Sequence, residues 1–335
     1  MQRQQEITHW LETLSPGRHF TLAPASADAS FRRYFRVSYA DGETQIVMDA
    51  PPSHEDCKPW LRVQQLFADA GVHVPQVLAT DLERGYLLLS DLGSETYLPV
   101  LTSESAPVLY GDALDALIGL QAASQPGQLP DYDEALLRRE LDLFPEWYLG
   151  KHLGVNLDDR QRQVLEKTFR RILDVNLAEP RVYVHRDYHS RNLMRIAHPD
   201  LPNPGVIDFQ DAVYGPMSYD LASLFKDAYI EWDEALVIDW LVRYWEKARK
   251  QGLPIREDFG DFYRDYEWMG VQRHLKVLGI FARLYHRDGK DGYLKDMPLV
   301  LTYLRKACHR YDGLHPLLRL LDQVHGNDVK SGLTF

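Results

Sequence analysis

Cysteine is nearly absent from this 335-residue chain: Cys57 and Cys308 stand alone, far apart and without the C-x-x-C spacing of a metal or redox site. That excludes a disulfide framework and fits a reducing compartment, so the cytoplasm is the expected location. No run approaches the roughly eighteen consecutive apolar residues of a membrane helix. The polar, amphipathic start MQRQQEITHWLETL lacks the apolar segment of an export signal. Neither a membrane span nor export is expected. Dense basic runs are missing too, and the formal charge is -11. These absences argue against nucleic acid or an anionic membrane as partner and favour a small, metal-escorted substrate. Internal repeats, low-complexity tracts, long linkers and a G-x-G-x-x-G or Walker loop are likewise absent.

What is present has two textures. Ile7, Trp10, Leu11 and Leu14 recur at helical spacing, predicting a helix over residues 2 to 14 that Pro16-Gly17 ends. In FRRYFRVSY, Phe31, Phe35, Val37 and Tyr39 share one face and Arg32, Tyr34, Arg36 and Ser38 the other. With the Asp41-Gly42 turn, this predicts a β-hairpin over 30 to 49. A helix over 58 to 70 follows, with Gly71 just past its end, and then two further strands, VPQVLAT and GYLLLSDLG. From about residue 105 the period becomes 3.6: ALDALIGLQ, EALLRRELDLFPEWYL and DDRQRQVLEKTFRRILDVNL read as helices, as does most of the chain after residue 217. Only RVYV (181 to 184) and GVID (205 to 208) interrupt them, as short buried strands. The expectation is an α+β fold of two lobes, a sheet-rich lobe at 1–92 and a helical lobe at 93–335, a length that exceeds what one core usually supports.

The chemistry gathers at those two short strands. In VHRDYHSRNL, Asp187 follows the first, Asn192 lies five positions on, and Asp208 closes the second through the turn HPDLPNPG. Oxygen donors without thiolates favour a hard cation such as Mg²⁺. His185 and His189 lack the H-E-x-x-H context of metal ligands and read better as hydrogen-bonding groups. A carboxylate left over from the metal can accept a proton from an attacking hydroxyl, which is the division of labour that phosphoryl transfer needs. Taken singly, each of these residues is also ordinary turn or cap chemistry. Their joint spacing weighs against that. Asp220 reads first as an N-cap of the next helix.

His185-Arg186-Asp187, four residues, Asn192, followed by Asp208-Phe209-Gln210, resembles the H-R-D-x-x-x-x-N and D-F-G motifs of kinases. The nearer resemblance is to the aminoglycoside phosphotransferase-like small-molecule kinases, which implies a two-lobed protein-kinase-like fold. Asp208 and Asp220 leave no room for an activation segment, so a peptide substrate would lack its platform. Over most of the chain, SFRRYFRV, IVMDAPP, YLLLSDLG, FPEWYL, HRDYHSRNLM, IDFQDAVYGPMSYDLASL and MGVQRHLKVLGIFARL resemble the bacterial cell-wall amino-sugar anomeric kinases. That resemblance implies ATP-dependent phosphorylation of the C1 hydroxyl of N-acetylmuramate and N-acetylglucosamine in peptidoglycan recycling, with ATP-Mg²⁺ held between the lobes. Asp187 would be the base and Asn192 and Asp208 the Mg²⁺ ligands. Leu89, Ser90, Asp91 and Leu92 would be the hinge that meets adenine, and Asp220 a brace for the loop.

The chain also departs from the kinase pattern. The place of the β3 lysine falls near Met48, so another cation must meet the phosphates. Arg32 and Arg33 rank first, with a turn at ADAS (27 to 30) over the phosphates, ahead of Arg36, Lys58 and Arg62. No αC glutamate stands near Gln64 and Gln65. Arg191 is a candidate to stabilise the transferring phosphoryl group or to pair with a carboxylate. Asp211 is a candidate for binding a sugar hydroxyl or only a backbone amide. Glu146, Trp147, Trp268, Gln272 and Arg273 combine flat apolar faces with hydrogen-bonding groups and are sugar-site candidates, although helical tryptophans are more often core. Arg273 would suit a lactyl carboxylate. Two rival readings stay open: a same-fold kinase acting on choline, homoserine or an aminoglycoside, and a nucleotide-binding regulatory module without turnover.

Overall fold

A computed structural model describes residues 2–26 and 31–326; the turn expected at 27 to 30 lies outside them. The expected α+β architecture is present, an antiparallel sheet in the N-terminal lobe and helices in the C-terminal lobe. By packing, the chain divides into one unit reaching to Leu120 together with Arg191–Gln210, and another of Gln121–Ser190 together with the residues from Asp211 onward. The boundary between a sheet-rich and a helical lobe at residue 92 is a proposal, separate from this division by packing.

The first unit is built on a five-stranded sheet. Its strands are β1 (Phe20–Ser26), β2 (Arg33–Tyr39), β3 (Thr44–Asp49), β4 (Val77–Asp81) and β5 (Tyr86–Ser90), in the order β1-β2-β3-β5-β4. The expected hairpin is β2–β3. No sequence signal announced β1: its segment FTLAPAS carries a proline among small residues, tolerable because the strand stands at the sheet edge. Helix α1 (Gln2–Leu14) lays Ile7, Trp10 and Leu11 on Phe35, Val37, Tyr39, Val47, Tyr86 and Leu88. Period two then commits Tyr34, Arg36 and Ile46 to the opposite face. Helix α2 (Cys57–Asp69), capped by the Asp56 carboxylate, sets Trp60 and Phe67 against Phe209 at 5.0 and 5.7 Å between ring centres. Helix α3 (Ala106–Ala122) follows the sheet in the chain.

The two short strands pair differently from expectation. Strand β6 (Arg181–Val184) pairs in the second unit with β9 (Val213–Pro216), while β7 (Leu193–Met194) and β8 (Gly205–Val206) pair in the first. HPDLPNPG is indeed the turn between β7 and β8. Asp208, however, lies beyond β8 rather than closing it, because its φ of 64° cannot continue an extended strand.

The second unit is organised around α8 (Phe259–Asp288), in which nearly every side chain from Asp265 to Ala282 is buried. Around it pack α4 (Glu134–Leu143), α5 (Asp159–Leu177), α6 (Tyr219–Phe225), α7 (Glu234–Lys250) and α9 (Met297–Arg310), with α10 (His315–Val324) behind α5 and α9. The segment EALLRRELDLFPEWYL is not one α-helix. It ends as α4 at Leu143, and Phe144–His152 winds wider as a π-helical turn, since Pro145 offers no N–H to the preceding turn. Gly279 of α8 lies where a Cβ would come within 2.5 Å of the Leu143 backbone, which is what lets the two helices meet there.

One buried carboxyl makes this unit sensitive to pH. Glu179 accepts hydrogen bonds from the Ser218 N–H (3.0 Å) and hydroxyl (2.9 Å), yet burial pushes its pKa from 4.5 up to about 8. Between those values the folded state holds a proton that the unfolded chain has released. The stabilising contribution is therefore complete below about pH 4.5 and is lost as pH rises toward 8. Urea unfolding from pH 5 to 8 should show stability falling by at most about 1.4 kcal/mol per pH unit from this group. Glu179→Gln should flatten that slope; an unchanged slope contradicts the assignment.

Candidate active site

In the first unit, the face of the sheet not covered by α1 opens on a cavity of about 360 Å³. Tyr34, Arg36 and Ile46 line one side; Trp60, the chain from Leu89 to Ser94, Arg191, Asn192 and Asp208 line others. The chain leaves β5 at Ser90, whose N–H donates to the Gln76 carbonyl at 2.9 Å and whose hydroxyl accepts from the Gln76 N–H at 2.8 Å. Arg36 then fastens the segment. Its guanidinium donates to both carboxylate oxygens of Asp91 (2.6 and 3.1 Å) and to the Gly93 carbonyl (2.7 Å), while the Gly93 N–H donates back to Asp91 at 2.9 Å. Gly93 has φ 92°, a turn that other residues rarely make.

Leu89, Ser90, Asp91 and Leu92 thus all line this cavity, whereas Arg32 and Arg33 do not. Strand periodicity explains Arg33. It lies on the α1 side and pairs with the buried Asp49, which also takes Arg3 at 2.5 Å. Met48 is fully buried opposite Tyr34, so the place of a β3 lysine is apolar. Among the described residues, the cations lining the cavity are Arg36 and Arg191; Lys58 and Arg62 are not among its walls.

At the far end of the cavity, the Asn192 carboxamide approaches one oxygen of Asp208 at 3.4 Å, and the Gln210 carboxamide donates to the other at 2.8 Å. The Ile207 N–H donates to the Asn192 carbonyl at 3.1 Å, which joins the two ends of this short ladder. Asp208 is held at a φ that costs strain, as residues at working sites often are. Among the described residues no three His, Cys, Asp or Glu side chains gather as a metal cage. One carboxylate plus one amide instead fits Mg²⁺, which completes its shell with water and phosphate oxygens.

In the second unit, Asp187 follows β6 on a loop held by two buried carboxylates. The N–H groups of His185 and Arg186 donate to Asp220 at 2.7 and 3.0 Å, and Ser190 donates its N–H (3.1 Å) and hydroxyl (2.5 Å) to Asp227. Asp220 is therefore not a helix cap: it lies inside α6, reaching back to the loop. Burial pushes its pKa up to about 6, against the pull of His185 and the two N–H donors. Arg186 adopts φ 78°, and its carbonyl accepts from Arg273 at 2.9 Å. The Asp187 carboxylate remains 42% exposed, within reach of an incoming group. Desolvation would raise its pKa, but Lys276 and Arg273, the latter at 3.7 Å, outweigh it and hold the carboxyl well below the usual range.

The sugar-side candidates separate. Gln272 and Arg273 belong to the loop's support, Gln272 donating to Glu140 at 3.1 Å and Arg273 to the Arg186 carbonyl. Trp268 is buried against Tyr311, 5.9 Å between ring centres, as a core residue would be. Glu146 and Trp147 sit on the π-helical turn, with Glu146 exposed. Asp211 exposes its side chain while its carbonyl accepts from Arg186 at 3.3 Å. Sequence reasoning missed Glu140, Lys276, Tyr219 and Asp227. Only Asp227 had a signal, its place seven residues after Asp220.

Four similarities to known proteins stand beside this geometry. A model of the phosphotransferase enzyme family matches residues 21–253. The chain is 50% identical, over 100% of both chains, to the N-acetylmuramate/N-acetylglucosamine kinase of Neisseria meningitidis serogroup B. It is 50% identical to that of Pseudomonas aeruginosa, over 95% of this chain and 96% of the relative. In fold it is similar to a choline/ethanolamine kinase family protein from Mesorhizobium loti, with a TM-score of 0.64 at 15% identity over 96% and 99% of the two chains.

Arg36 gives a direct handle on the cavity wall. Arg36→Met removes every bond from β2 to residues 91 and 93, and amide hydrogen exchange across Leu89–Ser94 should quicken by about tenfold or more. Unchanged protection there contradicts the fastening role.

Proposed function

The chain belongs to the phosphotransferase enzyme family, and from that premise we propose that it transfers the γ-phosphoryl group of ATP to the C1 hydroxyl of N-acetylmuramate and N-acetylglucosamine. The products are ADP and the sugar 1-phosphate. It is an ATP-dependent amino-sugar kinase; the observation that carries this is the identity of half its residues, end to end, with kinases named for these two sugars. The choice of C1 is our own reading, as is a cytoplasmic place in peptidoglycan recycling. In support of that location, both cysteines are free and buried, and among the described residues no helix is long and apolar enough to cross a membrane.

Asp187 is the base in this reading. Its ionised carboxylate accepts a hydrogen bond from the C1 hydroxyl; as that oxygen bonds to the γ-phosphorus, the proton passes to Asp187 and the bond to the β-phosphate oxygen breaks, releasing ADP. A hemiacetal hydroxyl is more acidic than an ordinary alcohol, so a weakly basic carboxylate suffices and positioning supplies most of the effect. Arg191, next to Asn192 on the cavity wall, meets charge on the phosphoryl group. Leu89 to Leu92 meet adenine. Asn192 and Asp208 hold Mg²⁺, which when bound neutralises phosphate charge. Asp211, with its exposed side chain, serves the sugar.

A same-fold kinase for choline is the nearest rival. The identity of half the residues, over the whole chain, with a kinase named for N-acetylmuramate and N-acetylglucosamine weighs against it.

With either sugar, Asp187→Asn should keep ATP binding within about threefold of wild type while slowing turnover by about 100- to 10,000-fold. Unchanged turnover contradicts the base assignment. Asp208→Asn should raise the Mg²⁺ needed for half-maximal rate by about tenfold or more; an unshifted Mg²⁺ titration contradicts the metal assignment.

A further inference from the structure

Glu140, in α4, is 5% exposed and surrounded by donors. One oxygen accepts from the Arg186 guanidinium and from the Lys276 ammonium at 2.9 Å; the other accepts from the Tyr132 hydroxyl and from Gln272 at 3.1 Å. Gln272 and Lys276 are one helical turn apart, so α8 presents both to the same carboxylate. Arg186, the residue before the proposed base, is held at three places: its N–H by Asp220, its carbonyl by Arg273, and its terminal guanidinium nitrogens by Glu140 and the Asp211 carbonyl. Around Asp187, the cations Arg186, Arg273 and Lys276 stand among the buried carboxylates Glu140, Asp220 and Asp227.

Resting on the reading of Asp187 as base, we propose that Glu140 is a positioning residue: it draws Lys276 and Arg186 to itself and so keeps these cations from closing on Asp187. A buried ammonium must find a counter-ion. With Glu140 neutral, Asp187 is a remaining carboxylate that these cations feel: Arg273 lies 3.7 Å from it, and of the charged groups around it Lys276 lowers its pKa most. An Asp187 locked to Lys276 turns its lone pairs to the ammonium instead of to the acceptor hydroxyl. The loop would stay folded and the base would be misdirected.

The signature is rescue by a second substitution. Glu140→Gln should lower kcat by about 10- to 100-fold with the KM for ATP little changed, because only proton acceptance is impaired. Adding Lys276→Met removes the unmatched ammonium, while Arg186 keeps its bond to the Asp211 carbonyl, and the Glu140→Gln/Lys276→Met double variant should recover kcat to within about fivefold of wild type. Glu140→Asp, which keeps the charge, should retain at least about a third of kcat and serves if Glu140→Gln does not fold. Losses that add in the double variant, or a Glu140→Asp as poor as Glu140→Gln, overturn the proposal. Running Asp187→Asn alongside separates the two claims: if that variant turns over normally, the base assignment has failed, and if it is slow while the double variant is not rescued, only the role of Glu140 has failed.

Discussion

Two backbone N–H groups, those of His185 and Arg186, are donated to one buried carboxylate, Asp220, and the rest of the site depends on that contact. A loop leaving a short strand has no ladder to satisfy its donors, and buried donors without partners are costly. Asp220 meets both at once, from inside α6. It thereby holds Arg186 at a positive φ that an L-residue does not choose unaided, and the side chain presented next is Asp187. Asp227, two residues beyond the end of the same helix, repeats the device at Ser190. The short helix after β9 thus acts as a clamp, and α8 behind it supplies the arginine for the Arg186 carbonyl.

The second unit can place so many charges out of water because each has a partner. Burying an ion costs several kcal/mol unless its lone pairs or protons are met. Glu140 receives donors at both oxygens, and Arg273 divides its guanidinium among a carbonyl, the Tyr219 hydroxyl and the neighbourhood of Asp187. Such a cluster orients groups more than it stabilises the fold. The first unit solves a different problem with the same means: Arg36 and Asp91 tie β2 to the chain leaving β5, and Arg33 and Arg3 close on Asp49 on the sheet's other side.

Much of this was legible in the sequence. The hairpin, the helices with strong 3.6 periodicity, and the spacing from His185 to Asp208 carried the fold and the loop, since local pattern and short-range spacing determine them. What escaped depends on contacts between distant residues or on single breaks of pattern. Strand β1 has an edge proline, and α4 stops at Leu143, two residues before Pro145, although the apolar period runs on. Arg33 and Arg36 are three apart on a strand, so they leave by opposite faces, and only the position of α1 shows which face meets the cavity. Glu140 lies 46 positions before Arg186 and 136 before Lys276, and nothing in a linear reading joins them.

The proposed reaction makes the anomeric oxygen the nucleophile. The most direct measurement is ADP release with the 1-O-methyl glycoside of N-acetylglucosamine, which keeps every ring hydroxyl except the proposed acceptor. With the glycoside, ADP should form no faster than in a sugar-free blank, while the free sugar should yield ADP and an acid-labile phosphate in equal amounts. A phosphate ester formed on the methyl glycoside at a rate comparable to the free sugar would contradict it.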